Sequence, residues 1–399
     1  MTLVLSRRVQ AIKESPTLAV TARAARLKAE GRDIIGLGAG EPDFDTPQHI
    51  KDAAKRAIDS GFTKYTPVGG IPGLKKAIVD KFKRENGFDY GINEVIVGVG
   101  GKQCIFNLAL AVLNAGDEVI IPAPYWVSYA DIAIVAEATP VIVQCGIEQN
   151  FKLTPAQLEA AITPQTKLFF INSPSNPTGS VYTLEELRAL GEVLKKHPRV
   201  LVATDDMYEH VNLTGVPFVN ILNATPELRD RTIVLNGVSK AYAMTGWRIG
   251  YAAGPANIIK AMEILQSQST SNPTSISQVA AQAALEGDQG CIAPMLDAFR
   301  ERHAFVVQRF NEIPGLKCLT AGGAFYAFPD ARAAIARLHV AGKIAEPTDL
   351  ALADYLLMTV GVAVVPGSAF GAEGYFRISF ATSMANLREA LDRIEQALS

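Results

Sequence analysis

Cysteine and histidine are scarce in this sequence, and they do not cluster. The 399 residues include five histidines and four cysteines, Cys104, Cys145, Cys291 and Cys318. No C-x-x-C pair is present, and no cysteine lies beside a histidine, so the spacing favours neither a disulfide framework nor a zinc site. The sequence therefore predicts no metal site.

An excess of one charge and long apolar runs are also missing. The 38 basic and 40 acidic side chains give a formal charge of −2, which favours neither nucleic acid nor an anionic membrane as a partner. No apolar run approaches the ~18 residues that span a bilayer, and the first residues, MTLVLSRRVQAIKESP, lack the apolar segment of a signal peptide. We expect a cytoplasmic protein that binds small molecules.

Short apolar runs alternate with helical patterns from about residue 95 onward. VIIPA, KLFFIN, VLVAT and TIVLN are almost continuously apolar, as in strands that are buried on both faces of a parallel sheet. Helices between them begin with capping boxes, in which Thr154 pairs with Gln157 and Thr183 with Glu186. This alternation predicts an α/β fold with a mostly parallel sheet. After about residue 285 a long helix, further strands and a closing helix predict a second, α+β domain.

Common ligand motifs are absent or incomplete. GLGAGEPDF (36–44) and GVGGKQ (98–103) lack the G-x-G-x-x-G spacing, and Gln103 stands where a P-loop needs Ser or Thr. The chain has no G-x-S-x-G, no H-E-x-x-H and no EF-hand loop. Gly100 and Gly101 lie where a strand turns into a helix, so the helix N-terminus could bind a phosphate. The same glycines could equally serve only a tight turn.

Lys240 follows the strand-like run RTIVLNG (231–237) and is set among small and apolar residues. Ligands of open α/β sheets collect where parallel strands end. An apolar environment lowers the pKa of a lysine, and the neutral amine can then form Schiff bases. Position alone does not separate Lys240 from solvated lysines.

The residues around Lys240 are more specific. GVSKAYAMTGWRIG (237–250) resembles the lysine-attachment signature of class I pyridoxal-phosphate aminotransferases at every position. The resemblance spans nearly the whole chain, in family order, through six further stretches: GAGEPDF (38–44), YTPVGGIPGL (65–74), PYWVSY (124–129), NSPSNPTG (172–179), TDDMYEH (204–210) and FRISFAT (376–382). SRRVQAIK, GGKQ and VVPGSAFG are most similar to bacterial aspartate aminotransferases of subgroup 1-gamma, some of which also accept prephenate.

The resemblance implies the fold-type I architecture of pyridoxal-phosphate-dependent transferases. In this α/β fold, residues 48–290 would form a large cofactor-binding domain with a mostly parallel seven-stranded sheet flanked by helices. Residues 1–47, with an N-terminal arm, and 291–399 would form a smaller α+β domain. The resemblance also implies a homodimer with composite active sites.

The same resemblance assigns roles to individual residues. Lys240 is the expected catalytic residue, which carries the cofactor and moves a proton at the substrate Cα. The residues expected to bind pyridoxal 5′-phosphate are Gly101, Lys102, Trp126, Asn176, Asp205, Tyr208, Ser239, Arg248 and, on the neighbouring subunit's site, Tyr65. The residues expected to bind the substrate are Gly40, Trp126, Asn176, Arg377, Lys102 and Lys13. The role of Ser239 is open, because Gly237 replaces a serine found in some relatives.

Acidic substrates need a second cation for the distal carboxylate. SQSTSNPTSIS (267–277), where many aspartate aminotransferases place an arginine of the partner subunit, contains none. The resemblance implies that Lys102 takes this part and that Lys13 assists with prephenate. Alternatively, Lys102 only neutralises the cofactor phosphate.

The predicted activity is pyridoxal-phosphate-dependent transamination between L-aspartate or L-glutamate and 2-oxoglutarate or oxaloacetate, with conversion of prephenate to arogenate as a further reaction. Three alternatives stay open at this point: another amino-acid aminotransferase, a carbon–sulfur lyase of the same fold, and a cofactor-binding sensor without turnover.

Overall fold

The computed structural model describes residues 4–12 and 14–399. Within these residues the strands are β1 (Ile35–Gly36), β2 (Val95–Gly98), β3 (Glu118–Ala123), β4 (Thr139–Gln144), β5 (Thr166–Asn172), β6 (Leu201–Asp205), β7 (Thr232–Gly237), β8 (Gly250–Ala253), β9 (Tyr326–Ala327), β10 (Val362–Ala363), β11 (Val365–Pro366) and β12 (Phe376–Ser379).

The α-helices of the same residues are α1 (Arg7–Ala11), α2 (Pro16–Ala29), α3 (Gln48–Asp59), α4 (Pro72–Lys81), α5 (Gly101–Val112), α6 (Ser128–Val135), α7 (Pro155–Ala161), α8 (Leu184–Lys195), α9 (Ile221–Ala224), α10 (Ala256–Ser267), α11 (Ser275–Glu286), α12 (Ala293–Glu312), α13 (Arg332–Val340), α14 (Asp349–Val360) and α15 (Met384–Leu398). Both predicted capping boxes are present, at the starts of α7 and α8. No helix among the described residues combines the length and the apolar character that a membrane crossing requires.

The central sheet has seven strands in the order β2-β8-β7-β6-β5-β3-β4. The neighbours from β7 to β4 all pair in parallel, and only β8 runs against its two neighbours. This arrangement confirms the predicted α/β fold with a mostly parallel seven-stranded sheet. Because β5, β6 and β7 run the same way, their carboxyl ends lie side by side, and Asn172 pairs in register with Asp205. The sheet thus presents the residues that follow these strands at one edge.

Both faces of the sheet are buried, which explains why the strands have few polar residues. Alternate residues of β6 and β7, such as Ala203 and Leu235, belong to an apolar cluster with Leu108 of α5. The residues between them, such as Val202 and Val234, belong to the larger cluster on the opposite face. Side chains of a strand point alternately to the two faces, so helices on both sides bury every apolar position.

Two small sheets lie outside the central one. β9, β12 and β11 form an antiparallel sheet with β12 in the middle, and β1 pairs in parallel with β10. Through the second pairing, residues 35–36 lie beside residues 362–363. The domain boundaries at residues 48 and 290 stay a prediction.

Candidate active site

A cavity of about 250 Å³ lies at the carboxyl edge of the central sheet. The predicted site residues that line it are Gly40, Gly101, Lys102, Trp126, Asn176, Asp205, Tyr208, Ser239, Lys240, Arg248 and Arg377. Two predicted residues are not among them. Tyr65 is 91% exposed and does not line the cavity, and Lys13 lies outside the described residues. These two assignments stay predictions.

Lys240 lies three residues after β7 and turns its amine into the cavity. Its Nζ donates a hydrogen bond to the carbonyl oxygen of Gly40 at 2.6 Å. Burial lowers the pKa of Lys240 to about 8, and the positive charges of Arg248 and Arg377 act in the same direction. A substantial fraction of this amine is therefore neutral near physiological pH, as a nucleophile or a base requires.

Asp205 ends β6 and is buried. One carboxylate oxygen, Oδ2, accepts a hydrogen bond from the Tyr129 hydroxyl at 2.5 Å, and Oδ1 accepts from the backbone N–H of Met207 at 3.2 Å. Burial raises the pKa of Asp205, and the hydrogen bond from Tyr129 opposes that shift. The carboxylate is held by two donors in a place where a cationic partner would further stabilise its charge.

Sequence reasoning missed two neighbours of Asp205. The Asn172 side chain donates to the Asp205 carbonyl at 2.8 Å, and Tyr129 packs edge-on against Trp126 with ring centroids 5.3 Å apart. Tyr129 ends the stretch PYWVSY (124–129), but nothing in that stretch indicates its contact with Asp205, 76 positions later. Asn172 is the last residue of β5, a position whose importance depends on the register with β6.

The start of α5 forms a positively charged corner of the cavity. Gly100 has φ +82°, and a Cβ there would lie 2.2 Å from the Arg248 guanidinium, so only glycine fits. Arg248 is itself left-handed at φ +57°, and its Nη1 donates to the Thr245 carbonyl at 2.7 Å. In the described part of the chain no side chain caps the first turn of α5. The helix N-terminus and the guanidinium therefore offer N–H donors to an anion.

Lys102 lies beside this corner, in the first turn of α5. Its Nζ is 5.1 Å from the ring centroid of Trp126. Burial lowers the pKa of Lys102, and the nearby charge of Arg248 lowers it further. Lys102 is thus close both to the anion corner and to the aromatic wall of the cavity.

Arg377 lies on β12 and is only 2% exposed, so its charge is held inside the protein. Nη1 donates to Asn176 Oδ1 at 2.9 Å, and Nη2 donates to the Gly38 carbonyl at 2.7 Å. Nε has no partner among the described residues. A buried guanidinium with a donor to spare is suited to bind a carboxylate that enters the cavity.

The cavity is also lined by residues that sequence reasoning did not identify. The Tyr208 hydroxyl lies 2.7 Å from the Tyr326 hydroxyl, and Tyr326 also lines the cavity. Ser15 and Thr17, at the start of α2, line the cavity as well. No motif marks either residue as part of a site.

Comparison with known proteins gives consistent matches over the whole chain. The family "Aminotransferase class I and II" matches residues 32–394. An aspartate/prephenate aminotransferase of Nitrosomonas europaea is 65% identical over 395 residues, which cover 99% of this chain and 100% of the relative. An aspartate/prephenate aminotransferase of Cereibacter sphaeroides is 57% identical over 98% of each chain.

Two solved structures are similarly close. The aspartate aminotransferase of Rhizobium meliloti superposes with a TM-score of 0.94 at 49% identity, over 100% of this chain and 99% of that chain. The aspartate aminotransferase of Thermus thermophilus with maleate gives a TM-score of 0.92 at 43% identity, over 99% of this chain and 100% of that chain.

Proposed function

The chain belongs to the family of class I and II aminotransferases, and from this premise we propose that it transfers the amino group between L-aspartate or L-glutamate and 2-oxoglutarate or oxaloacetate. Two relatives named aspartate/prephenate aminotransferase, which share at least 57% of their residues with this chain, support aspartate and add prephenate as a substrate. Prephenate would be converted to arogenate. The observation that carries the proposal is the meeting of Lys240, Asp205 and Arg377 in one cavity.

Enzymes of this family depend on pyridoxal 5′-phosphate, and the cavity contains the groups that this cofactor needs. The Lys240 amine with its lowered pKa, the buried carboxylate of Asp205 and the anion corner at the start of α5 line the same space. The glycines of that corner leave room that side chains would fill, since a Cβ on Gly101 would lie 2.4 Å from the Met207 methyl group. When bound, the cofactor supplies an electron sink for the electron pair released at the substrate Cα.

Each part of the cofactor has a matching group in the chain. Arg248, the first N–H groups of α5 and the Ser239 hydroxyl would hold the phosphate. Asp205 would keep the pyridine nitrogen protonated, because a buried carboxylate is best stabilised by a cation. Tyr208 and Asn176 would bond the ring hydroxyl. Trp126 would pack on the ring face.

Arg377 would bind the substrate, and Lys240 would move the proton of the substrate Cα. Arg377 would bind the α-carboxylate with a fork of donors, and this orients the Cα–H bond. Lys240 Nζ would take the proton from the substrate Cα and would give it to the cofactor carbon that keeps the amino nitrogen, a task suited to an amine whose pKa is lowered to about 8 by burial. Lys102 would bind the distal carboxylate of aspartate or glutamate, since its ammonium lines the cavity beside Trp126.

We also propose a homodimer with composite active sites. Two large side chains with apolar surface are exposed, Tyr65 at 91% and Ile264 at 57%, as at a surface that a partner covers. In the dimer, Tyr65 of the partner subunit would reach the phosphate. The role of Lys13 in prephenate binding stays a prediction. The cytoplasmic location also stays a prediction.

An absorption spectrum of the purified protein tests the proposed function. A band of bound cofactor should disappear when L-glutamate is added and return when 2-oxoglutarate is added, as a two-step amino transfer requires. Release of ammonia, a 2-oxo acid and a thiol from a sulfur-containing amino acid, without need of an amino acceptor, would support a lyase. A protein that binds no pyridoxal 5′-phosphate at all would contradict both enzymes.

A further inference from the structure

Tyr326 contacts both Arg377 and Tyr208 in the candidate site, although no motif identified it. It lies on β9, is 1% exposed and pairs with Ser379 of β12. Arg377 lies two residues before Ser379, on the same face of β12, so it is a diagonal neighbour of Tyr326. The guanidinium carbon of Arg377 accordingly lies 4.3 Å from the centroid of the Tyr326 ring. The strand register therefore places an aromatic face against the buried cation.

The hydroxyl of the same side chain reaches in the other direction. It lies 2.7 Å from the Tyr208 hydroxyl, and the two rings meet edge to face at 5.8 Å and 76°. A Cβ on Gly40 would lie 3.0 Å from this hydroxyl, so the Tyr326 oxygen is packed beside the peptide that accepts a hydrogen bond from Lys240. Ring and hydroxyl of one residue thus contact two different parts of the site.

We propose that Tyr326 is a positioning residue with two separable tasks: its hydroxyl donates to Tyr208 and so directs the Tyr208 proton toward the cofactor, and its ring holds the Arg377 guanidinium for the substrate carboxylate. This inference rests on the proposed roles of Tyr208 and Arg377.

The direction of the hydrogen bond between Tyr326 and Tyr208 decides whether loss of the Tyr326 hydroxyl raises or lowers the pKa of the bound cofactor. A phenol has one proton, so a Tyr208 that donates to the cofactor hydroxyl must accept from Tyr326. A donor in such a chain is strengthened by the bond that it accepts. Removal of the Tyr326 hydroxyl would weaken the Tyr208 donor, destabilise the ionised cofactor hydroxyl and raise the apparent pKa of the bound cofactor. If Tyr208 instead donates to Tyr326, the same removal frees the Tyr208 proton and lowers that pKa.

Four variants separate the two tasks: Tyr326→Phe, Tyr326→Leu, Tyr208→Phe and the double variant Tyr208→Phe/Tyr326→Phe. The first removes only the hydroxyl, and the second also removes the ring. Tyr182→Phe is a matched control, because Tyr182 is buried and its hydroxyl accepts a 2.7 Å hydrogen bond from the Leu153 N–H. Two quantities are measured on cofactor-loaded protein: the pH titration of the cofactor absorption and the Kd of maleate.

Tyr326→Phe should raise the apparent pKa of the bound cofactor by about 0.3 to 1 and leave the Kd of maleate within about twofold. Tyr326→Leu should raise this pKa similarly and weaken maleate binding by roughly 3- to 30-fold, the loss expected for a desolvated cation–π contact. The double variant should titrate like Tyr208→Phe alone, because the Tyr326 hydroxyl acts through Tyr208. Tyr182→Phe should titrate like the parent protein.

Each contrary outcome has a distinct meaning. If Tyr208→Phe raises the pKa of the cofactor while Tyr326→Phe leaves it unchanged or lowers it, the inference about Tyr326 is wrong and the proposed function stands. If Tyr208→Phe itself has no effect, the proposed role of Tyr208 is wrong and the inference falls with it. Should Tyr326→Leu fail to fold, Tyr326→Phe still decides the hydroxyl's role.

Discussion

Replacing Arg377 by lysine tests whether a planar fork of donors, and not merely a positive charge, binds the substrate. The guanidinium uses two nitrogens at once, Nη1 for Asn176 and Nη2 for the Gly38 carbonyl, and its Nε has no partner among the described residues. A lysine ammonium concentrates its three donors at one point on a shorter reach. It cannot bond Asn176, Gly38 and an incoming carboxylate with the same geometry.

The magnitude of the loss follows from the number of bonds that cannot be made. At least one charge-assisted hydrogen bond to the substrate is lost, worth about 1.5–3 kcal/mol, and a buried acceptor without a donor costs about 1–3 kcal/mol more. For a site as buried as Arg377, we expect transition-state stabilisation to fall by about 2–5 kcal/mol. This corresponds to a decrease in kcat/KM of roughly 30- to 5000-fold.

The assay is steady-state transamination of L-aspartate with 2-oxoglutarate by Arg377→Lys protein whose cofactor band has been verified. Arg302→Lys is the matched control, because Arg302 bonds Asp43 at 2.7 Å with only 11% of its side chain exposed and does not line the cavity. The control should stay within about threefold of the parent. A decrease of less than threefold for Arg377→Lys as well would place the substrate carboxylate elsewhere.

Four further predictions concern lysines. Lys240→Ala should lower turnover by roughly 10²- to 10⁴-fold while cofactor still binds without a covalent bond, and turnover within tenfold of the parent would remove Lys240 from the mechanism. In the parent protein, the rate at which cofactor attaches to cofactor-free Lys240 should rise with pH around a midpoint of about 8, because the neutral amine is the nucleophile, and a midpoint above about 10 would show an unperturbed lysine. Lys102→Ser should cost aspartate and glutamate about 1–3 kcal/mol of kcat/KM and spare aromatic amino acids, whereas equal losses would assign Lys102 to cofactor binding alone. Lys81→Met should lower the free energy of unfolding in urea by about 3–5 kcal/mol, because Lys81 is fully buried and its ammonium bonds the buried Glu209, and exposed Lys83→Met should change it by less than about 1 kcal/mol.

Much of the central sheet could be predicted because its signals are local. A run such as TIVLN is apolar without interruption, so it identifies a strand covered on both faces wherever it lies in the chain. The capping box of Thr183 and Glu186 lies within four consecutive residues and marks the start of α8. The small sheets gave weaker signals, since β9 and β10 have only two residues each and form through pairing with distant segments.

The residues of the candidate site also fall into two groups, those with a local sequence signal and those whose contacts depend on distant segments. Lys240, Asp205 and Arg377 belong to recognisable motifs, and the structure places them in one cavity. Tyr129 and Tyr326 also lie in apolar stretches, but their contacts depend on which residue a distant strand brings opposite. Tyr326 meets Tyr208 across 118 positions of sequence, because backbone hydrogen bonds join residues 211–213 to residues 322–324. Aromatic residues in apolar runs ordinarily belong to the core, so sequence alone gave no reason to separate these two.

The charges around Lys240 imply that substrate binding adjusts its basicity. Burial is the main cause of its lowered pKa, and the positive charges of Arg248 and Arg377 add to the effect. A carboxylate bound at Arg377 would offset one of these two charges, and an anion near an amine favours the protonated form. We therefore expect the proton affinity of Lys240 to increase when the substrate carboxylate is bound. The amine would be a weaker base while the site is free of substrate, and would become a stronger base at the stage where a proton must leave the substrate Cα.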